Sequence, residues 1–428
     1  MLLRFRFENH RSIREEQELS FVAASISDHP EVVRRVDGFP EGVLPAAAIY
    51  GANASGKTNA IDAFWFMSSA VRSSHKDWSP DGPIPRVPFV MDDHWKRAPS
   101  RFVADFILDG VRHQYGFSLD SQAVLEEWLF VYPKGKKQTW FRRKPGRAMR
   151  FGGKMPGENR TIANLTRQNS LFLSAAAQNN HEALSPIYRW FSRDLSFFRG
   201  DRRVWAQETA SLCKEKRFRI DVVRLLAVAD LGITGVTITE EEISEKSKLF
   251  FEAVRAAAKS DGDADLGFPE LEDRVQFLHR VEGATVPLKL EEESDGTQAY
   301  FALLGPIIEA LDTGGVICID ELDRSLHPLL AMALIRLFHE RSSNPRGAQL
   351  IFNTHDTYIL NAGLLRRDQI WFTEKNTESS TVLYPLSDFK PRRQENLERG
   401  YLQGRYGAIP FINDEAFVHS FEDGNAEA

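Results

Sequence analysis

A chain of 428 residues with 42% hydrophobic content can bury a large core divided among two or three domain-sized units, and its formal net charge of −6 excludes a general nucleic-acid coat. Two cysteines, Cys213 and Cys318, are too few for a disulfide framework or a cysteine metal site, which fits a reducing compartment. The N-terminus is charged too early for a secretory leader and no run approaches 18 uncharged apolar residues, so the expected location is cytoplasmic with no membrane partner.

Residues 2–7 alternate apolar with charged side chains, as a half-exposed strand does, and residues 9–13 form the turn into a second strand at 18–23. The pair is expected to flank a ligand bound just downstream. Ala46 to Tyr50 reads as a buried strand, and an apolar-rich helix is expected over residues 59–69. Between them lies Gly51-Ala52-Asn53-Ala54-Ser55-Gly56-Lys57-Thr58, a match to G-x-x-x-x-G-K-[ST] in the strand-loop-helix setting that a phosphate-binding loop requires. The glycines let successive N–H groups turn inward, the helix N-terminus adds partial positive charge, Lys57 reaches phosphate oxygens, and Thr58 offers a hydroxyl to Mg²⁺.

A Pro/Gly cluster at 79–86 ends this segment, and strands are expected at 101–108, 111–119, 124–132 and 138–143, with Asp109-Gly110 as a hairpin turn. This predicts an antiparallel β subdomain. From residue 161 to 258 the pattern turns helical, best at 168–180, 184–195, 221–230 and 240–258. Ser260 to Asp265 reads as a polar linker. Strands resume at 274–281 and 285–290, and Ser294-Asp295-Gly296-Thr297-Gln298 leads into a helix at 299–311.

Val316-Ile317-Cys318-Ile319-Asp320-Glu321 is the second anchor: four apolar residues make a strand buried on both faces, and two carboxylates emerge at its C-terminal end, where an open parallel sheet places ligands. A helix over 329–342 follows, then a second buried strand, 349–353, ends in Thr354-His355-Asp356. Asp320 is placed to hold Mg²⁺ with Thr58, Glu321 to polarise the attacking water, and His355 to sense the terminal phosphate. From Lys134 to Lys154 the chain carries nine basic residues and no acidic one, interleaved with Trp140, Phe141 and Phe151. That is the candidate nucleic-acid surface, against the plainer reading of a solvated hairpin.

The order P-loop, Ser294-Asp295-Gly296-Thr297-Gln298, Asp320-Glu321 with Asp323, then Thr354-His355 resembles the ABC-type ATPase heads of the SMC and RecF group. Within it the chain looks most like the RloA-like "AAA family" ATPases of abortive-infection and restriction-linked loci. The resemblance runs from Phe5-Glu8-Asn9-His10-Arg11-Ser12 to Gly404-Arg405-Tyr406-Gly407. It implies an α/β P-loop NTPase of ABC-ATPase-head type, a mixed sheet flanked by helices. The expected division is an N-terminal lobe with the β subdomain at 1–155, a helical insertion at 156–270, and a C-terminal lobe at 271–428.

The resemblance further implies ATP and Mg²⁺ as ligands, with Asn53, Ser55, Gly56, Lys57, Thr58 and Asn59 at the nucleotide and Thr58 with Asp320 at the metal. Glu321 is then the catalytic glutamate, Asp323 the D-loop residue and His355 the switch histidine. Ser294 and Gly296 would meet the γ-phosphate of a second copy in a head-to-tail dimer or a larger assembly. Asp295 and Thr297 depart from the usual Leu-Ser-Gly-Gly-Gln, and Gln114 and Gln138 both remain open as the Q-loop residue. The implied function is a switch ATPase of antiphage defence acting on a separately encoded effector; the alternative is a RecF/SMC-like DNA-binding repair ATPase.

Overall fold

The computed structural model describes residues 1–200, 202–229, 231–242, 271–392 and 394–410. Two compact units share the chain: Met1–Phe197, Leu311–Asp323 and Ala331–Ala428 form one, and Phe198–Ala310 with Arg324–Leu330 form the other.

Two sheets make the first unit an α/β P-loop NTPase. The antiparallel sheet orders its strands β10-β9-β8-β7-β6-β1-β2, with β1 Leu2–Glu8, β2 Gln17–Ser20, β6 Ser100–Leu108, β7 Val111–Leu119, β8 Val124–Tyr132, β9 Gln138–Lys144 and β10 Arg147–Phe151. It takes in the N-terminal strand pair as well as the hairpins expected as a separate subdomain. The mixed sheet runs β11-β15-β16-β5-β17-β18, with β5 Ala46–Gly51, β11 Leu195–Phe198, β15 Val316–Ile319, β16 Gln349–Asn353, β17 Ile370–Lys375 and β18 Thr381–Pro385. Strands β15, β16, β5 and β17 are parallel neighbours, and β18 closes the edge antiparallel to β17. A small ribbon, β3 Arg34–Val36 with β4 Phe39–Val43, precedes β5.

Helix α1, Lys57–Ser73, fills the space between the sheets. Ala60, Ile61, Ala63, Phe64, Met67, Ala70 and Val71 recur at helical spacing and are buried. Phe64 packs on Phe5 of β1 with ring centres 4.6 Å apart, and Phe66 on Phe102 of β6 at 5.0 Å. One side chain ties the sheets directly. Gln349, at the start of β16 and 1% exposed, accepts from Leu2 N (2.5 Å) and donates to Leu2 O (2.9 Å) and Leu44 O (3.1 Å). A second buried tie is Glu127 of β8, which accepts from Phe172 N (2.7 Å), Leu173 N (3.0 Å) and the Tyr115 hydroxyl (2.9 Å), capping the helix Phe172–Gln178.

The helices Asn159–Leu165, Phe172–Gln178 and Ser185–Ser192, expected to open a helical insertion, belong to this first unit.

The second unit holds the helices Arg202–Leu212 and Lys216–Val228, the antiparallel sheet of β12 Ile233–Glu242, β13 Leu271–Val281 and β14 Ala284–Lys289, and most of the helix Asp295–Thr313. Gly305 of that last helix is where a Cβ would stand 2.4 Å from Thr209 Oγ1, so only glycine allows the approach. Residues 240–242 end β12 instead of starting a helix, because the alternation from Ile233 onward pairs with β13; the rest of the helix expected at 240–258, and the linker at 260–265, lie outside the described residues.

Gln349→Leu keeps the volume but leaves three buried backbone groups without partners. Each buried orphan costs about 1–3 kcal/mol, so chemical denaturation should show a loss of about 3 kcal/mol or more. A loss below about 1 kcal/mol would show that the tie between the sheets is dispensable.

Candidate functional site

Strand β5 delivers the loop. Its residues Ala46 to Tyr50 are buried on both faces, and the backbone leaves Tyr50 at the carboxyl edge of the parallel strands. Gly56 sits at φ +110°, a conformation that side-chain-bearing residues rarely adopt, and a Cβ there would lie 2.2 Å from Thr381 Oγ1. The loop then turns straight into α1 at Lys57.

Lys57 is only 7% exposed, and its ammonium donates to Gly51 O (2.7 Å) and Ala52 O (3.0 Å), curling into the cradle. Burial pulls its pKa down to about 8, and the charges of Asp323, Asp320 and Glu321 oppose that fall. Thr58 donates its hydroxyl to Asp320 Oδ1 at 3.0 Å, so the two predicted metal-binding oxygens stand together at the end of β15. Asn53 is exposed at the loop tip, and Ser55 is buried with its hydroxyl 2.7 Å from Thr373 Oγ1. Asn59 is committed elsewhere: its amide donates to Ser12 Oγ at 2.6 Å.

The acidic end of β15 is set by its neighbour β16. Asn353 donates through Nδ2 to Asp320 Oδ1 and accepts through Oδ1 from Glu321 N (2.5 Å), while its carbonyl accepts from Leu322 N (3.1 Å). Glu321, two residues past the end of β15, takes φ +58° and is exposed. Asp323 accepts from His355 N at 3.2 Å through Oδ2, and its buried Oδ1 has no hydrogen-bond partner. His355 has its pKa lowered by burial first and by the charge of Lys57 second. Lys57, Asp320, Glu321, Asp323 and His355 thus share one electrostatic neighbourhood. The paired Thr58 and Asp320 oxygens fit Mg²⁺, and the Lys57 ammonium in the loop fits the phosphates of a nucleotide.

Ser294 and Gly296 belong to the second unit. Ser294 Oγ accepts from Thr297 N (3.2 Å) and lies 2.9 Å from Thr297 Oγ1, so it caps the helix Asp295–Thr313. Thr297, a departure from the usual motif, is thereby part of the cap. A Cβ on Gly296 would stand 3.0 Å from Ser325 O. Of the two Q-loop alternatives, Gln114 donates to both oxygens of Asp105 within the antiparallel sheet (3.2 and 3.1 Å), and Gln138 begins β9 of that sheet.

Several supporting residues had no signal in the sequence. Thr381 Oγ1 donates to Ser55 O (2.7 Å) and meets Ser12 Oγ (2.8 Å); Thr373 Oγ1 meets Ser55 Oγ and donates to Tyr50 O (3.3 Å). Two threonines of the β17–β18 hairpin and one serine of the N-terminal turn therefore hold the underside of the loop. Asp62 of α1, 2% exposed, pairs with His10 Nε2 (2.8 Å) and with Arg11 Nε, which fixes the same turn on the P-loop helix. In the basic segment, Arg143 points inward and donates to Ser170 O (2.7 Å), Gln168 O (2.8 Å) and Arg167 O (3.2 Å), so it is not part of an exposed patch. Among the described residues no helix is long and apolar enough to cross a membrane, and no group of three or more His, Cys, Asp and Glu side chains forms a metal cluster.

The model of the family described as "AAA domain, putative AbiEii toxin, Type IV TA system" matches residues 46–361. No curated protein matches the sequence. Among solved structures, the SMC head bound to the C-winged helix domain of ScpA is similar, with 14% identity, a TM-score of 0.42, and coverage of 90% of this chain and 97% of that one. The SMC head with an extended coiled coil bound to the C-terminal domain of ScpA, from Pyrococcus furiosus, gives 12% identity, a TM-score of 0.36, and coverage of 95% and 98%.

Phosphate binding needs Lys57 protonated, and its pKa is about 8 before the anion arrives. The charged form is complete below that value and is lost above it. Nucleotide affinity should therefore fall about tenfold between pH 7 and 9, with proton uptake on binding near pH 8, as calorimetry in buffers of different ionisation enthalpy would read. A flat profile would mean that Lys57 does not carry the phosphate charge.

Proposed function

The chain belongs to the AAA-domain family whose description ties it to the AbiEii toxin of type IV toxin–antitoxin systems, and on that premise we propose that it is an ATP-binding and ATP-hydrolysing switch of ABC-head type. It acts in an RloA-like antiphage system on a separately encoded effector, such as a nuclease or toxin. The observation that carries the reading is the meeting of Thr58 Oγ1 with Asp320 Oδ1 at 3.0 Å beside the buried Lys57.

The N–H groups of the loop and the Lys57 ammonium hold the β- and γ-phosphates of ATP. Thr58 and Asp320 would hold Mg²⁺, which when bound neutralises charge on the phosphate oxygens. Glu321 accepts a proton from the attacking water; the water oxygen bonds to the γ-phosphorus as its bond to the bridging oxygen breaks, giving ADP and inorganic phosphate. Asn353 keeps Asp320 and the Glu321 backbone in register for both tasks. His355 senses the γ-phosphate as switch histidine, Asp323 serves as the D-loop residue, and Ser294 and Gly296 of a second copy complete the site in a head-to-tail dimer.

The second reading, a DNA-gripping repair ATPase, draws on the basic stretch from Lys134 to Lys154. It predicts ATPase activity that DNA stimulates, whereas the switch reading predicts a rate that follows the effector.

Glu321→Gln removes the proton acceptor while leaving Lys57, Thr58 and Asp320 in place. Steady-state hydrolysis should drop about 10²-fold or more with ATP binding retained. Light scattering with Mg-ATP should then show an accumulated dimer or larger assembly, which Ser294→Arg added to the same chain should disperse. Normal turnover in Glu321→Gln would remove this residue from its role, and an assembly state blind to ATP would rule out the head-to-tail arrangement.

A further inference from the structure

The antiparallel sheet has a second face that the ATPase reading does not use. On β8, Glu127, Leu129 and Val131 turn toward the interior, where Leu129 and Val131 join the main core. Trp128, Phe130 and Tyr132 turn the other way. With Val103 of β6 they form a cluster apart from that core. Successive residues on one face of a strand are roughly 6.8 Å apart, so the three rings make a straight row on the sheet's outer surface.

Each ring carries a cation. Arg101 Cζ stands 5.2 Å over Trp128, Lys137 Nζ 3.6 Å over Phe130, and Arg112 Cζ 4.6 Å over Tyr132. The Trp128 ring lies close on Gly116, where a Cβ would come within 2.4 Å of Cζ2. The row is bordered by more cations: Arg142 and Arg150 are cross-strand neighbours in register with Trp128, and Arg6 lies further along the same row. The carboxylates there are already engaged, Asp105 by Arg112 (2.8 Å) and Arg6 (3.5 Å), and Glu126 by Arg142 (3.7 Å).

From this arrangement we propose that the outer face of the antiparallel sheet binds single-stranded nucleic acid without sequence preference. The bases stack on Trp128, Phe130 and Tyr132, and Arg101 and Lys137 swing from the rings to the phosphates while Arg112 keeps its ion pair with Asp105. Trp128 and Phe130 are 5% and 8% exposed with Arg101 and Lys137 over them, so a base reaches these rings by displacing the cations. A cation at such a surface site is held weakly, while a base on the same ring is held more firmly and frees the cation for an anion. A duplex keeps its base faces hidden and gains only the charge. An acidic protein likewise gains the charge and has no need of three rings in a row. The site goes beyond the ATPase reading and does not rest on it.

The test is fluorescence anisotropy of a labelled oligothymidylate of 20 nucleotides with the full chain across a salt series, with a duplex of equal length and polyglutamate as competitors. Basal ATPase activity is measured in every variant. The expected result is binding that weakens linearly in log salt, with the single strand preferred at least tenfold over duplex and polyglutamate. Lys137→Gln should lower the salt slope by about 0.7, the contribution of one phosphate contact to a single strand. Phe130→Leu should weaken binding about tenfold with the slope unchanged, because it removes stacking and no charge. Absence of binding, equal competition by duplex or polyglutamate, or wild-type affinity in Phe130→Leu would each overturn the proposal. Lys137 is an exposed side chain, so its slope change remains readable if the Phe130 variant folds poorly.

Discussion

A buried ammonium governs the nucleotide site. Lys57 is almost fully enclosed and is satisfied by two carbonyl oxygens, with carboxylates near it but none in direct hydrogen-bond contact. Burial holds its pKa near 8 instead of 10.5, a cost to the charged form that the nearby carboxylates only partly offset. A polyanion entering the cradle reverses that cost, which is a physical reason for the loop to take phosphates. The rest of the unit keeps the strain in place: the glycine at φ +110°, the threonine hairpin beneath the loop, and Asp62 clasping the N-terminal turn to α1.

What was legible in the sequence is what depends on neighbours in the chain. The P-loop is a local device, since its glycines, lysine and threonine act within eight positions, and the strand before it announces itself by an unbroken apolar run. The same holds for Val316 to Ile319, four buried residues followed by two carboxylates. Strands β6 to β9 are visible through alternation and the Asp109-Gly110 turn, whereas β10 is not.

What stayed hidden depends on pairings between distant segments. Asn353 acts on Asp320 and Glu321 only because β16 lies parallel beside β15, and no spacing rule announces that register. Ser12, Thr373 and Thr381 are ordinary hydroxyl residues until the fold brings residues 12 and 381 to within 2.8 Å. Arg143 looked like one more charge in a basic run; it turns inward because its place in β9 opposes the buried Glu127. Residues 240–242 read as helical because the pull of β13, about 30 residues away, cannot be seen in a local window.

The central claim is that one Mg-ATP binds each chain through Lys57, and isothermal titration of wild type and Lys57→Ala with Mg-ATP tests it most directly. The account predicts one site per chain in the wild type and affinity reduced at least a hundredfold in the variant, with the variant still folded in the absence of nucleotide. Equal affinity in the two proteins would contradict it.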